Sequence, residues 1–149
     1  MNRVILSKVV KEVPFGRYYS DSPYCGEAIR EELLVPILRH CIDSGSEIII
    51  DIGEYLNGVG SSCISEMFQG LLQYGHFTYE QLTKHLKLAG DEKIISEIYE
   101  YIDEAADYTV LKYRSTLGQS KTDDFENARP SLLTLYLESV GLKTLSEVA

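Results

Sequence analysis

The sequence predicts an α/β domain: a mixed sheet of four or five strands with helices packed on it, followed by a C-terminal helical extension. Three observations carry that expectation. The stretch "SEIIIDIG" (46–53) is a continuous apolar run without alternation, the pattern of a strand covered on both faces. Segments on both sides of it repeat apolar residues every three or four positions, the period of an amphipathic helix. Finally, "RVILSKVV" (3–10) and "YTVLKY" (108–113) are β-branched or alternating, as strands are.

The elements follow in order. "RVILSKVV" and "VPFGRYYS" are separated by Lys11 and Glu12, which suggests two early strands in a hairpin-like arrangement. In "CGEAIREELLVPILRHCI", Ile29, Leu33, Ile37 and Cys41 fall four apart on a helix. Pro36 interrupts it; an interior proline costs about 3 kcal/mol relative to alanine, so a kink or break is expected near Val35, with Pro36 opening a second segment. After the central strand and the turn-rich "GEYLNGVG", residues Ile64, Met67, Phe68, Leu71 and Leu72 form one apolar helix face, stopped by Gly75.

"TYEQLTKHL" reads as a short helix and "LKLAG" as an edge strand. From Asp91 to Asp107, Ile95, Ile98, Ile102 and Ala105 make an apolar stripe opposite Glu97, Glu100, Glu104 and Asp107. "YTVLKY" is the last expected strand, and "RSTLGQSKTDDFENAR" reads as a polar linker. A helix resumes after Pro130, with Leu132, Leu135 and Tyr136 on one side, Gly141 as its stop and "TLSE" as a capping box. Such a tail needs a surface to cover, on the core or on a second copy of the chain.

The totals restrict function. A length of 149 residues suits one globular domain, and a formal net charge of −9 excludes a sequence-independent nucleic-acid binder, which needs clustered Lys and Arg. Partners with basic surfaces are favoured. Three cysteines without paired spacing fit a reducing compartment, and no apolar stretch is long enough to span a bilayer. The expected location is the cytoplasm, with no signal peptide.

The strand-to-helix passage is the natural site of an α/β sheet, because ligands gather beyond the carboxyl ends of the strands. This places Asp51, Glu54, Asn57, Gly58, Gly60, Ser61 and Ser62 together as contact residues for a partner or an anion. The glycines do not complete a nucleotide-binding fingerprint. At a helix start, Ser61 and Ser62 fit an ordinary cap and also a phosphorylation switch, in which phosphate would be favoured by the helix dipole. Arg17 belongs to a second polar and aromatic loop, "FGRYYSDSPYCGEAIRE", read either as a contact loop or as an ion-pair network in which Asp21 or Glu27 holds Arg17 or Arg30. Cys63 in a first helical turn with His76 imitates a nucleophile pair, but no nucleophile motif surrounds it. His40, His76, His85 and the cysteines lack metal-ligand spacing, so no catalytic residue, metal or cofactor is assigned.

The stretches "PFGRYYSDSPYCGEAIREELLVPIL", "IIIDIGEYLNGVGSSCISEMFQGLL" and "IYEYIDEA" resemble the prokaryotic STAS-like domain family of unknown function, related to the STAS domains of bacterial anti-sigma factor antagonists. The resemblance implies a STAS-like domain over residues 1–115, with 116–149 a linker and helical extension. It also implies a non-catalytic regulatory module whose partner is a histidine-kinase-type ATPase, in a signalling or conflict system. The phosphoacceptor serine of the antagonists falls on Ser61, although Gly60 stands where they carry Asp and Cys63 where they carry Gly. Two further readings stay open: an anion- or nucleotide-sensing domain using the same helix start, and a small cysteine-dependent enzyme. A homo-oligomer formed through the tail is also open.

Overall fold

The computed structural model describes residues 2–106 and 129–148. It shows an α/β fold built on a three-stranded parallel sheet. Strand β1 (Asn2–Ile5) and strand β3 (Leu86–Gly90) flank the central β2 (Ile48–Gly53), in the order β1-β2-β3. Val4 lies opposite Ile50, which in turn lies opposite Leu88. "LKLAG" is therefore the expected edge strand. In β2, Ile48, Ile50 and Ile52 are buried whereas Ile49, Asp51 and Gly53 are only half-covered, so one face is sealed more fully than the unbroken apolar run implied.

One sequence expectation about the sheet is corrected. The early strands do not form a hairpin: β1 stops at Ile5, Leu6–Val9 make one helical turn (α1), and no strand lies between Val10 and Cys25. The loop's backbone bonds across itself instead, with Phe15 N–H to Tyr24 O, Gly26 N–H to Gly16 O and Glu27 N–H to Arg17 O. β-Branched composition alone therefore overstated the strand, as tertiary context often overrides propensity. The described sheet has three parallel strands; the strand expected at 108–113 and the boundary at 115 lie outside the described residues.

Helix α2 (Gly26–Ile29) runs into a π-helical turn at Arg30–Leu34 and then α3 (Val35–Ser44). Pro36 sits in the first turn of α3, which is where the break was expected. Its missing N–H leaves the Glu32 carbonyl without an i→i+4 donor, and the turn widens so that Val35 N–H reaches Arg30 O. Helices α4 (Ser61–Phe68) and α5 (Gly70–Gln73) follow β2, and Gly75, at φ 76°, ends them in the left-handed conformation. Ile64, Met67, Phe68, Leu71 and Leu72 are all buried, as the periodicity predicts.

Helix α6 (Tyr79–His85) starts on a capping box between Thr78 and Gln81. Helix α7 (Glu92–Ala106) buries Ile94, Ile98, Ile102 and Ala105; Ile95, expected in that stripe, is only partly buried. In the tail, α8 (Leu132–Ser139) is capped by Ser131 and buries Leu132, Tyr136 and Leu137, with Leu135 half-buried. The "TLSE" capping box is not formed: the Thr144 hydroxyl faces Ser146 and Glu147 side chains, with no cap bond to the short 3₁₀ turn at Leu145–Glu147. Val148 is buried, and its carbonyl lies 2.9 Å from His40 Nε2. No helix among the described residues is long and apolar enough to cross a membrane.

Candidate functional site

The carboxyl ends of the three strands meet at a close approach. A Cβ on Gly90 would sit 2.5 Å from Gly53 N, and Gly90 holds φ 125°, so only glycine lets β3 pass this near the end of β2. Asp51 pairs with Arg3 of β1 and accepts the Gly53 N–H at 2.9 Å, which turns the chain out of the sheet. Three short turns follow: Tyr55 N–H to Ile52 O, Asn57 N–H to Glu54 O and Val59 N–H to Leu56 O, each at 3.0 Å. Buried Leu56 pins this loop to the core, while Glu54, Asn57, Gly58 and Gly60 stay exposed.

Helix α4 starts at Ser61, and its N-cap is Gly60, in extended conformation and without a side-chain cap bond. The expectation that a serine caps this helix is thus corrected. Chain direction explains it: Gly60 already occupies the cap position, so Ser61 and Ser62 lie inside the first turn, where their hydroxyls no longer face the free N–H groups. Both serines are exposed, and neither hydroxyl has a hydrogen-bond partner among the described residues.

The loop before α2 is seated against this helix start. A Cβ on Gly26 would come within 2.5 Å of the Cys63 carbonyl oxygen, so α2 and α4 touch backbone to backbone. The Tyr55 hydroxyl lies between the carbonyls of Val10 and Glu12, within reach of donating its one proton to either, and so ties the 53–60 loop to the chain that leads into Val13 and Phe15. Those two side chains are 63% and 59% exposed, unusual for residues of their size and hydrophobicity. Periodicity does not find them, because they lie in a loop; the sequence signal is two large apolar residues flanking Pro14 beside a polar run.

Beneath this surface is a buried charge network. Arg30, fully buried, donates from Nε to Glu31 at 2.8 Å and from Nη1 to the Glu66 carbonyl (2.8 Å) and carboxylate (3.0 Å), and it stacks over the Tyr74 ring at 4.5 Å. Glu66 also accepts from Arg17 Nη1 at 3.2 Å and from the Tyr74 hydroxyl at 3.0 Å, while Glu31 meets His76 at 2.8 Å. Burial lowers the basicity of Arg30, but Glu31 and Glu66 outweigh it and hold the guanidinium above its ordinary pKa. An ion-pair network exists, therefore, with different partners from those expected: Asp21 instead accepts the backbone N–H groups of Arg17 and Tyr18, and Glu27 accepts that of Tyr19.

The widened turn aims three successive residues at three segments. Arg30 binds α4, Glu31 binds His76, and Glu32 binds the tail, where Arg129 bonds it from Nη1 and Nη2 at 2.8 and 3.0 Å. Glu32 also accepts from the Tyr19 hydroxyl and from Leu132 N–H at 3.1 Å. Burial pushes its pKa up, but Arg129 and Tyr19 prevail and hold it below the usual carboxylate value.

The nucleophile pair is not assembled. Cys63 is buried, and burial pushes its thiol up to about 12, overriding any help from the helix start. His76 is engaged with Glu31, and His85 Nδ1 lies 2.6 Å from the Ser46 carbonyl oxygen. Among the described residues no three His, Cys, Asp or Glu side chains gather as metal ligands do. Comparison of the chain with protein-family models, with curated proteins and with solved structures finds no match.

Proposed function

We propose that this protein is a non-catalytic regulatory module that binds another protein through the Gly53–Ser65 region and the adjoining Val13–Arg17 loop. One observation carries the reading: exposed Val13 and Phe15 stand beside a helix start that presents two free serine hydroxyls. Exposed apolar side chains rimmed by polar groups favour a protein contact over a small-anion site. The two arginines nearest the helix start are already matched, Arg3 to Asp51 and Arg17 to Glu66, which leaves the anion-sensing alternative without a free guanidinium there.

The resemblance to STAS-like domains makes a histidine-kinase-type ATPase the partner and Ser61 the phosphoacceptor. Its exposure at the first position of α4 suits both roles: a kinase can reach the hydroxyl, and the dipole would hold the added phosphate. The four- or five-stranded STAS-like sheet and the assignment of residues 1–115 and 116–149 to domain and extension belong to the same proposal. So does a cytoplasmic location. Co-expression with histidine-kinase-type ATPases of the same genome, followed by size-exclusion chromatography, tests it. A stable complex is expected that is lost with Phe15→Glu and kept with Lys84→Ala on α6; no complex, or one indifferent to Phe15→Glu, refutes the reading.

A further inference from the structure

A cavity of about 420 Å³ opens between α1, the chain that follows it and the tail helix α8. That volume is in the range of small-molecule sites. Its apolar wall includes Val9, Leu135 and the side chain of Tyr24, and its polar groups include Lys8, Lys11 and Glu138. Neither lysine has an ion-pair partner among the described residues, in a chain whose net charge is −9. Two unmatched ammonium groups against one carboxylate leave a single uncompensated positive charge in a concave, partly apolar place.

The wall is rigid. Arg129 lies over the Tyr24 ring at 5.0 Å, and its guanidinium is fixed by Glu32 and by the Pro23 carbonyl at 2.6 Å. Its side chain is 8% exposed.

We infer that this cavity is a binding site for a small amphipathic monoanion, an aromatic carboxylate in type, whose acid group is held by Lys8 and Lys11 and whose ring lies on Tyr24 and Leu135. Glu138 opposes a second negative charge, which selects a monoanion over a polyphosphate. The site is separate from the Ser61 surface and does not rest on the partner-binding reading. It is nonetheless adjacent to it, since Tyr55 grips the carbonyls on either side of Lys11.

The test uses the full chain with indole-3-acetate and its neutral analogue indole-3-acetamide. The protein contains no tryptophan, so indole fluorescence reports the ligand alone. Saturable one-site binding of the acid is expected, with the amide weaker by about tenfold or more, the loss of one charge-assisted contact. Backbone amide shifts should cluster at residues 8–11, 24 and 135–139. The Lys8→Glu/Lys11→Glu variant, changed only at exposed positions, should lose the acid by a similar factor, and Glu138→Gln should tighten it. Equal affinity for acid and amide, binding unchanged by the lysine reversals, inorganic phosphate bound as tightly as the acid, or shifts centred on Val13 and Phe15 would each overturn the inference.

Discussion

Replacing Arg30 with Met keeps most of the side-chain volume and removes the cation on which the buried network closes. In the native protein its three donor contacts, at 2.8, 2.8 and 3.0 Å, satisfy Glu31, the Glu66 carbonyl and the Glu66 carboxylate. After substitution both carboxylates remain in the interior; Glu31 retains His76, and Glu66 retains Tyr74 and the half-exposed Arg17. Breaking a buried pair by removing one partner costs about 3–5 kcal/mol, a large part of the 5–15 kcal/mol typical of a domain. The assay is urea unfolding followed by far-UV circular dichroism, with unchanged slope and a lowered midpoint. Adding Glu66→Gln to Arg30→Met should recover part of the loss, because the stranded charge is then gone. A destabilisation under about 1 kcal/mol, or no recovery in the double variant, would show that the network does not hold α2 to α4.

Further outcomes follow from the packing. Phe68→Ala, at a fully buried position, should cost about 3–5 kcal/mol in the same unfolding assay. Arg129→Ala should free the tail at a cost of about 3 kcal/mol, seen as faster amide exchange in 131–139. Glu32 titrates below its unfolded value of about 4.3, so its contribution is present above that pH and is lost as pH falls through the lower folded value; tail protection should fade in acid and Glu32→Gln should abolish that dependence. For Cys25 and Cys63 the sign is opposite: burial raises both thiols to about 12, the unfolded chain loses those protons from about 8.5, and stability should therefore fall as pH rises between the two. Native protein should leave both unmodified by iodoacetamide at neutral pH, and labelling of the folded state would contradict their burial.

What the sequence discloses here depends on how local each cause is. Three successive isoleucines at 48–50 identify β2 without outside help, and the spacing of Ile64, Met67, Phe68 and Leu71 identifies the buried face of α4. Pro36 marked a break but not its form, because widening into a π-turn is a choice between satisfying and losing the bonds of particular carbonyls. The serine cap failed by one position, a boundary error that residue type cannot correct when Gly60 competes for the cap. The charge network was legible as a crowd of charges and not as pairs: Glu32 and Arg129 stand 97 residues apart, and Arg30 finds Glu66 only because Gly26 and Gly70 let the helices close. The exposed Val13 and Phe15 carry no periodic signal at all.

The claim that the α4 start faces a partner is tested most directly at Ser61, which is exposed and whose hydroxyl makes no hydrogen bond to the described residues. With a histidine-kinase-type ATPase that co-purifies with the chain, titration calorimetry should find Ser61→Asp bound about tenfold or more weakly than the native protein, with the melting temperature nearly unchanged. Mass spectrometry after incubation with ATP should place phosphate on Ser61. Binding unaltered by Ser61→Asp, together with no phosphate at that position, would contradict the account.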